Sequence, residues 1–101
     1  MKPVVFLEPA ETELDGQVRY YDADSTGLGD RFEQQVEHAT SLIAEYPQIG
    51  EPITKKVRKL RVQDFPFNVI YVETPAESVV VAIAPHGRRP NYWRARVRLV
   101  R

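Results

Sequence analysis

The stretch Phe67-Asn68-Val69-Ile70-Tyr71-Val72-Glu73-Thr74-Pro75-Ala76-Glu77-Ser78-Val79-Val80-Val81-Ala82-Ile83-Ala84 decides how this chain folds. β-Branched and aromatic residues dominate both ends, with Thr74-Pro75-Ala76 between them as a turn. Runs of this composition, bounded by turn residues, read as two strands with a short connection. Val79 to Ala84 is apolar on both faces, the pattern of a central strand covered on both sides. Upstream, Val57 to Val62 reads as a third strand, with Lys59 and Arg61 on one face and Leu60 and Val62 on the other. Phe65-Pro66 separates it from the next. Three strands joined so tightly predict an antiparallel meander.

Further upstream the period changes. Leu28, Phe32, Val36, Ala39, Ile43 and Tyr46 recur at three- and four-residue steps, with Glu33, Gln34, Glu37 and Glu45 facing away, which makes an amphipathic helix. Pro47 stops it, and Gly50 and Pro52 mark a loop. Before it, Ala10, Leu14, Val18 and Tyr21 trace the apolar face of an earlier helix, with Pro9 in its first turn. Gly16 costs that helix about 1 kcal/mol relative to alanine. Ser25-Thr26-Gly27-Leu28-Gly29 separates the two, so they form an antiparallel hairpin. Val4 to Leu7 suits a short first strand. The predicted fold class is therefore α+β: a short first strand, an antiparallel helical hairpin, a three-stranded antiparallel meander and a basic C-terminal tail. All 101 residues are expected to form one domain. The helices should cover one sheet face, leaving the basic side chains to the other face or its rim.

Charge is divided along the chain. Residues 1–54 hold three basic against eleven acidic residues, a net −8, and residues 55–101 hold eleven basic against three acidic, a net +8. Such asymmetry suggests an interaction surface, unless the fold mixes the halves in space. The absence of cysteine excludes disulfides and thiolate metal sites and fits a reducing compartment. No apolar run approaches a membrane span and no signal-peptide pattern opens the chain, so a cytoplasmic location is expected.

The basic tail is densest from His86 to Arg98, which gathers five arginines around Tyr92 and Trp93. Guanidinium groups fork onto phosphates or carboxylates, and aromatic faces can stack on bases, so an anionic partner is expected. Beyond Trp93, Arg94, Arg96 and Arg98 alternate with Ala95, Val97 and Leu99, which suits an edge strand; Trp93, Val97 and Val100 also fit a helical face. The alternation favours a strand or an irregular tail. His38 and His86 are isolated and read as structural or surface residues. The carboxylates lie mainly at solvent-facing helical phases and read as solvation. No glycine-rich phosphate loop, zinc spacing or serine–histidine–aspartate arrangement is present, and neither metal nor cofactor is expected. What remains is Lys59, Arg61, Arg88, Arg89 and Tyr92. Cations converging on a phosphodiester could stabilise charge built up during cleavage, with a lysine or tyrosine as acid or base. Alternatively the arginines pair with helix carboxylates or a partner, and Tyr92 and Trp93 cap the core.

The order of elements resembles the RelE/ParE superfamily of bacterial toxins over nearly the whole chain. The resemblance is carried by Gly27-Leu28-Gly29-Asp30-Arg31-Phe32, Tyr46-Pro47, Arg58-Lys59-Leu60-Arg61, Phe65-Pro66-Phe67, Val69-Ile70-Tyr71, Val79-Val80-Val81-Ala82-Ile83, His86-Gly87-Arg88-Arg89-Pro90 and Tyr92-Trp93. It implies the toxin half of a type II toxin–antitoxin module, which inhibits growth when its antitoxin is missing. It also implies an antitoxin whose C-terminal segment wraps the toxin and blocks its active surface, and whose separate DNA-binding domain contacts the operator for the complex. That segment is expected to dock on the hairpin and cross the sheet. Arg88, Arg89, Tyr92, Trp93, Arg94 and Arg96 are the expected antitoxin- or target-binding residues. RelE-like members cut mRNA on the ribosome, whereas ParE-like members poison DNA gyrase without a known hydrolytic site. For a RelE-like endonuclease the resemblance implies a catalytic set of Lys59, Arg61, Arg89 (or Arg88, if the loop shifts by one) and Tyr92. One strand arginine of that pattern falls on the neutral Asn68. A missing charge there removes of the order of several kcal/mol of transition-state stabilisation. The reading therefore leans away from an enzyme and towards a non-hydrolytic, gyrase-directed or undefined mechanism. An mRNA endoribonuclease is the alternative, and an inactive antitoxin-binding relative a further one.

Overall fold

The structure, a computed structural model, describes residues 1–100. Val4–Phe6 forms β1 and Glu8–Asp24 forms α1, with Leu7 at the junction. The Leu7 N–H donates to the Val80 carbonyl at 2.9 Å, while its own carbonyl accepts from Ala10 and Glu11. Pro9 sits in the first turn of α1, where its missing N–H leaves nothing unpaired, and Glu8 and Glu11 favour the positive end of the helix dipole. Gly16 is carried inside α1 without interrupting it.

Leu28–Glu45 forms α2, which buries Phe32, Val36, Ala39 and Ile43, the face expected from their spacing. Two glycines make the hairpin possible. Gly27 adopts φ 86°, a left-handed conformation that a side chain would strain. Gly29 lies where α2 crosses α1, and a Cβ there would collide with the Val18 carbonyl and the Asp22 side chain. Its N–H donates to Asp22 Oδ1 at 2.8 Å, so the close approach is also hydrogen-bonded.

The remaining strands are β2 (Glu51–Pro52), β3 (Val57–Arg61), β4 (Phe67–Glu73) and β5 (Ser78–Pro85). They form one five-stranded sheet in the order β1-β5-β4-β3-β2, in which β3, β4 and β5 are the predicted antiparallel meander. β1 runs parallel to β5 and makes it a central strand. The register between β4 and β5 shifts between Ile70 and Tyr71, so that Ile70 faces Ala82 but Tyr71 faces Val80. β2 has no counterpart in the sequence reading. It is two residues long and contains proline, which cannot donate to a ladder, so neither length nor composition signals it.

Both faces of the sheet are covered. On the helical side Phe32, Val36, Ile43, Val62, Phe67, Val69, Tyr71 and Ile83 form the larger core. Phe32 meets Phe67 and Phe65 at ring-centroid distances of 4.9 and 5.1 Å, with Tyr21 5.3 Å from Phe32. Tyr71 is fully buried; its hydroxyl donates to the Pro47 carbonyl at 2.7 Å and accepts from Gly50 N–H at 2.9 Å, tying the loop after α2 to the sheet. On the opposite side Val57, Ile70, Val72, Ala82 and Ala84 pack beneath Trp93, Val97 and Val100.

That second cover corrects the reading of the tail. Arg94–Leu99 is a 3-10 helix and not an edge strand. The apolar spacing of Trp93, Val97 and Val100 prevails over the arginine–apolar alternation because an apolar sheet face needs covering. The divided charge is partly consumed within the fold. Of the four ion pairs among the described residues, Lys59–Glu51, Arg88–Glu13 and Arg96–Glu13 join a base of the second half to an acid of the first, whereas Lys2–Glu73 runs the other way.

The crossing at Gly29 carries a direct test. Gly29→Ala should destabilise the protein by about 1–3 kcal/mol, the cost of forcing extra atoms into a packed contact, read as a lower urea midpoint at unchanged slope. Gly16→Ala, at a position with open space around it, should leave the midpoint unchanged or raise it.

Candidate functional site

β5 ends at Pro85, and the chain then turns back across the sheet face that the helices leave open. The His86 N–H donates to the Pro66 carbonyl at 2.9 Å and the Arg88 N–H to the Pro85 carbonyl at 3.2 Å, which sets the first bend. Asn91 adopts φ 63°, a left-handed conformation that asparagine tolerates better than most residues, and makes the second. Between the bends lie Arg88 and Arg89. Beyond them Trp93 turns inward and is only 4% exposed.

This loop and the open face enclose a cavity of about 250 Å³. Ile70, Ala84, Ile53 and Trp93 give it an apolar floor, and Lys59, Asn68, His86, Arg88, Arg89 and Tyr92 line its upper part. No carboxylate is among its lining residues. Lys59 arrives from β3, opposite Ile70, and Asn68 from β4, opposite Arg61. His86 Nε2 lies 3.4 Å from Asn68 Oδ1, so these two polar groups face each other across the rim. Arg61 shares this sheet face through its pairing with Asn68 but is solvent-exposed and does not line the cavity.

One residue organises the far wall, and the sequence reading assigned it to solvent. Glu13 in α1 has a side chain only 17% exposed. Its Oε1 accepts from the Ile83 N–H at 3.0 Å and from Arg96 Nη1 at 3.0 Å; its Oε2 accepts from the Tyr92 hydroxyl at 2.8 Å and from Arg96 Nη2 at 3.0 Å. Arg96 Nη1 also donates to the Val81 carbonyl at 3.0 Å. These contacts close the edge of β5 beyond the point where β1 stops, at Phe6 opposite Val80. Burial and the Glu13 carboxylate push the Tyr92 phenol well above its ordinary value, and the Glu13 bond raises the already high value of Arg96. The available signal was position: Glu13 flanks the Ala10–Leu14 face, where a carboxylate half-faces the sheet.

The predicted site residues therefore divide. Lys59, Arg88, Arg89 and Tyr92 come together at the cavity. Arg94 remains exposed beside it, whereas Arg96 is turned inward to Glu13 and Trp93 is packed in the core. The stacking expected of the aromatics is also taken up internally. The Arg88 guanidinium lies 3.8 Å from the Tyr92 ring centroid and that of Arg96 lies 5.2 Å away. Lys59 is held loosely by Glu51 at 3.3 Å, a pair whose members are 41% and 69% exposed. Arg89 has no ion-pair partner among the described residues.

Glu13→Ala should cost about 2–4 kcal/mol, because it strands a partly buried guanidinium, a strand N–H and a phenol. Trp93 is the only tryptophan, so its emission should shift to the red as the tail loosens. A second expectation concerns alkali. Tyr92 and Tyr71 both titrate above their ordinary value in the folded protein. Stability from these groups should thus be complete below about pH 10, the unfolded tyrosine value, and be lost as pH rises through the higher folded values. Urea titrations across that range should show a shallower alkaline fall for Tyr92→Phe.

The family model described as ParE toxin of type II toxin–antitoxin system, parDE, matches residues 4–90. Among solved structures, the chromosomal ParDE TA system from P. aeruginosa is similar with a TM-score of 0.73 at 16% identity, covering 84% of this chain and 96% of that one. No curated protein sequence matches. With β1, the helical hairpin, the meander and the start of the basic loop all inside the matched span, the chain belongs to the ParE toxin family, the toxin component of type II toxin–antitoxin modules.

Proposed function

We propose that this toxin inhibits growth by binding its target, DNA gyrase, through the basic rim formed by Arg88, Arg89 and Arg94, and that it does not hydrolyse nucleic acid. The observation that carries this reading is the state of Tyr92. A phenol that donates its proton to Glu13 at 2.8 Å, with its pKa raised, is poorly suited to act as a base near neutral pH. Asn68 supplies no charge where the resemblance calls for a strand arginine. The same rim is the surface on which the cognate antitoxin neutralises the toxin, with acidic groups near these arginines.

A second reading, an mRNA endonuclease acting on the ribosome, draws on one observation: Lys59, His86, Arg88, Arg89 and Tyr92 line a single cavity. In that reading His86, whose Nε2 lies 3.4 Å from Asn68 Oδ1, is the candidate base in place of Tyr92.

Expression without antitoxin separates the two. For a gyrase-directed toxin, DNA damage and filamentation should precede any fall in protein synthesis, and the purified protein should inhibit supercoiling by gyrase. Tyr92→Phe should leave this toxicity unchanged while costing about 1 kcal/mol of stability through the lost hydrogen bond. An immediate halt in translation, abolished by His86→Ala, would establish the endonuclease instead.

A further inference from the structure

The two edges of the sheet are built differently. β2 is two residues long, contains proline and lies beside the exposed Lys59–Glu51 pair. Shortness, proline and charge are what keep a strand edge from pairing further. β1, at the opposite edge, reads Val4-Val5-Phe6, with neither a charge, a proline nor a bulge. Its backbone has a side to spare. The Ser78 N–H donates to the Pro3 carbonyl and the Leu7 N–H to the Val80 carbonyl, so Pro3, Val5 and Leu7 turn towards β5. Strand alternation then directs the N–H and C=O groups of Val4 and Phe6 away from the sheet. No other element bonds these groups among the described residues, whereas one step earlier the Lys2 N–H is taken by the Ala44 carbonyl.

The surroundings of this edge are apolar. Val5 is 37% exposed and, with Leu7, Val79, Leu99 and Val100, lines a groove of about 260 Å³ beside the strand. Leu99 is 64% exposed, the most open large aliphatic side chain of the tail. The charges at the two ends of β1 indicate which chain fits. Lys2 precedes the strand, and Glu8 and Glu11 follow it in the first turn of α1. A second copy laid antiparallel about Val5 brings Val4 opposite Phe6 and Lys2 opposite Glu8 of the other copy. A parallel arrangement sets Lys2 against Lys2 and Glu8 against Glu8. Like charges directly opposed destabilise a strand pair, so the edge is complementary to itself in the antiparallel sense alone.

We propose that β1 is a self-association edge, at which a second copy of this chain adds antiparallel with Val5 facing Val5 across a twofold axis. Val4 and Phe6 of each copy exchange hydrogen bonds with Phe6 and Val4 of the other, which joins the two five-stranded sheets into one. The ladder stops there, because the Lys2 N–H is already engaged and α1 begins at Glu8. So short a pairing belongs with the small, transient class of interfaces. The association is independent of what the toxin's target is.

Sedimentation velocity and amide hydrogen exchange on the full-length toxin, free of antitoxin, test this. The dimer fraction should rise with concentration, and exchange at the Val4 and Phe6 amides should slow in step with it. Val5→Lys and Val5→Glu each set like charges face to face and should weaken the association about tenfold. An equimolar mixture of the two variants should restore it, because opposite charges then meet at the axis. Glu8→Lys should weaken it several-fold, and Glu37→Lys on the exposed side of α2 should leave it unchanged. Unaltered Trp93 emission certifies the fold of each variant. Should Val5→Lys disturb it, Glu8→Lys at its exposed position becomes the decisive variant. A protein that stays monomeric up to about 1 mM, a dimer indifferent to Val5 and Glu8, or a mixture that associates no better than its components would overturn the proposal. Loss of co-purification with a co-expressed antitoxin in Val5→Lys, with sedimentation of the toxin alone unchanged, would give the edge to the antitoxin and overturn it equally.

Discussion

Glu13 ties helix α1, the central strand β5 and the C-terminal tail to one another. Its carboxylate accepts from a backbone N–H of β5, from the Tyr92 hydroxyl and from both terminal nitrogens of Arg96. β1 is only three residues long, so the central strand β5 runs beyond it with an unpaired edge. Open strand edges invite pairing with other chains. Here Glu13 and Arg96 occupy the groups that a longer β1 would have paired, and the same contacts pin the C-terminal 3-10 helix across the other side of the sheet. The loop from His86 to Trp93 is thereby held at both ends, by β5 before it and by the anchored tail after it.

The division of charge between the two halves of the chain has two roles in the folded molecule. Part of it is internal: Lys59, Arg88 and Arg96 of the second half pair with Glu51 and Glu13 of the first. The remainder is left at the rim, where Arg89 and Arg94 stay exposed beside the loosely engaged Lys59. The fold satisfies some arginines internally and leaves others exposed.

Much of the architecture was legible from local signals. The three- and four-residue steps from Leu28 to Tyr46 gave α2, Pro47 ended it, and the apolar run at Val79–Ala84 identified the central strand. The Gly27–Gly29 turn was visible as a break, although the need for glycine at 29 comes from the approach of α1. β2 was invisible because two residues carry no period. The tail is ambiguous in sequence because arginine–apolar alternation and a helical apolar face coexist in it, and only the sheet face that it covers selects between them.

The candidate site shows the same boundary more sharply. A cluster of cations after the last strand and a shared sheet face for Lys59 and Arg61 follow from chain order and strand alternation, which are local properties. The sequence by itself could not sort the arginines. Arg96 is turned inward and Arg89 outward because of a carboxylate that lies 83 residues from Arg96 in the chain. No periodicity reports a contact over that separation. Only the folded chain, which brings α1 against the edge of β5, decides which charges are paired internally and which stay exposed.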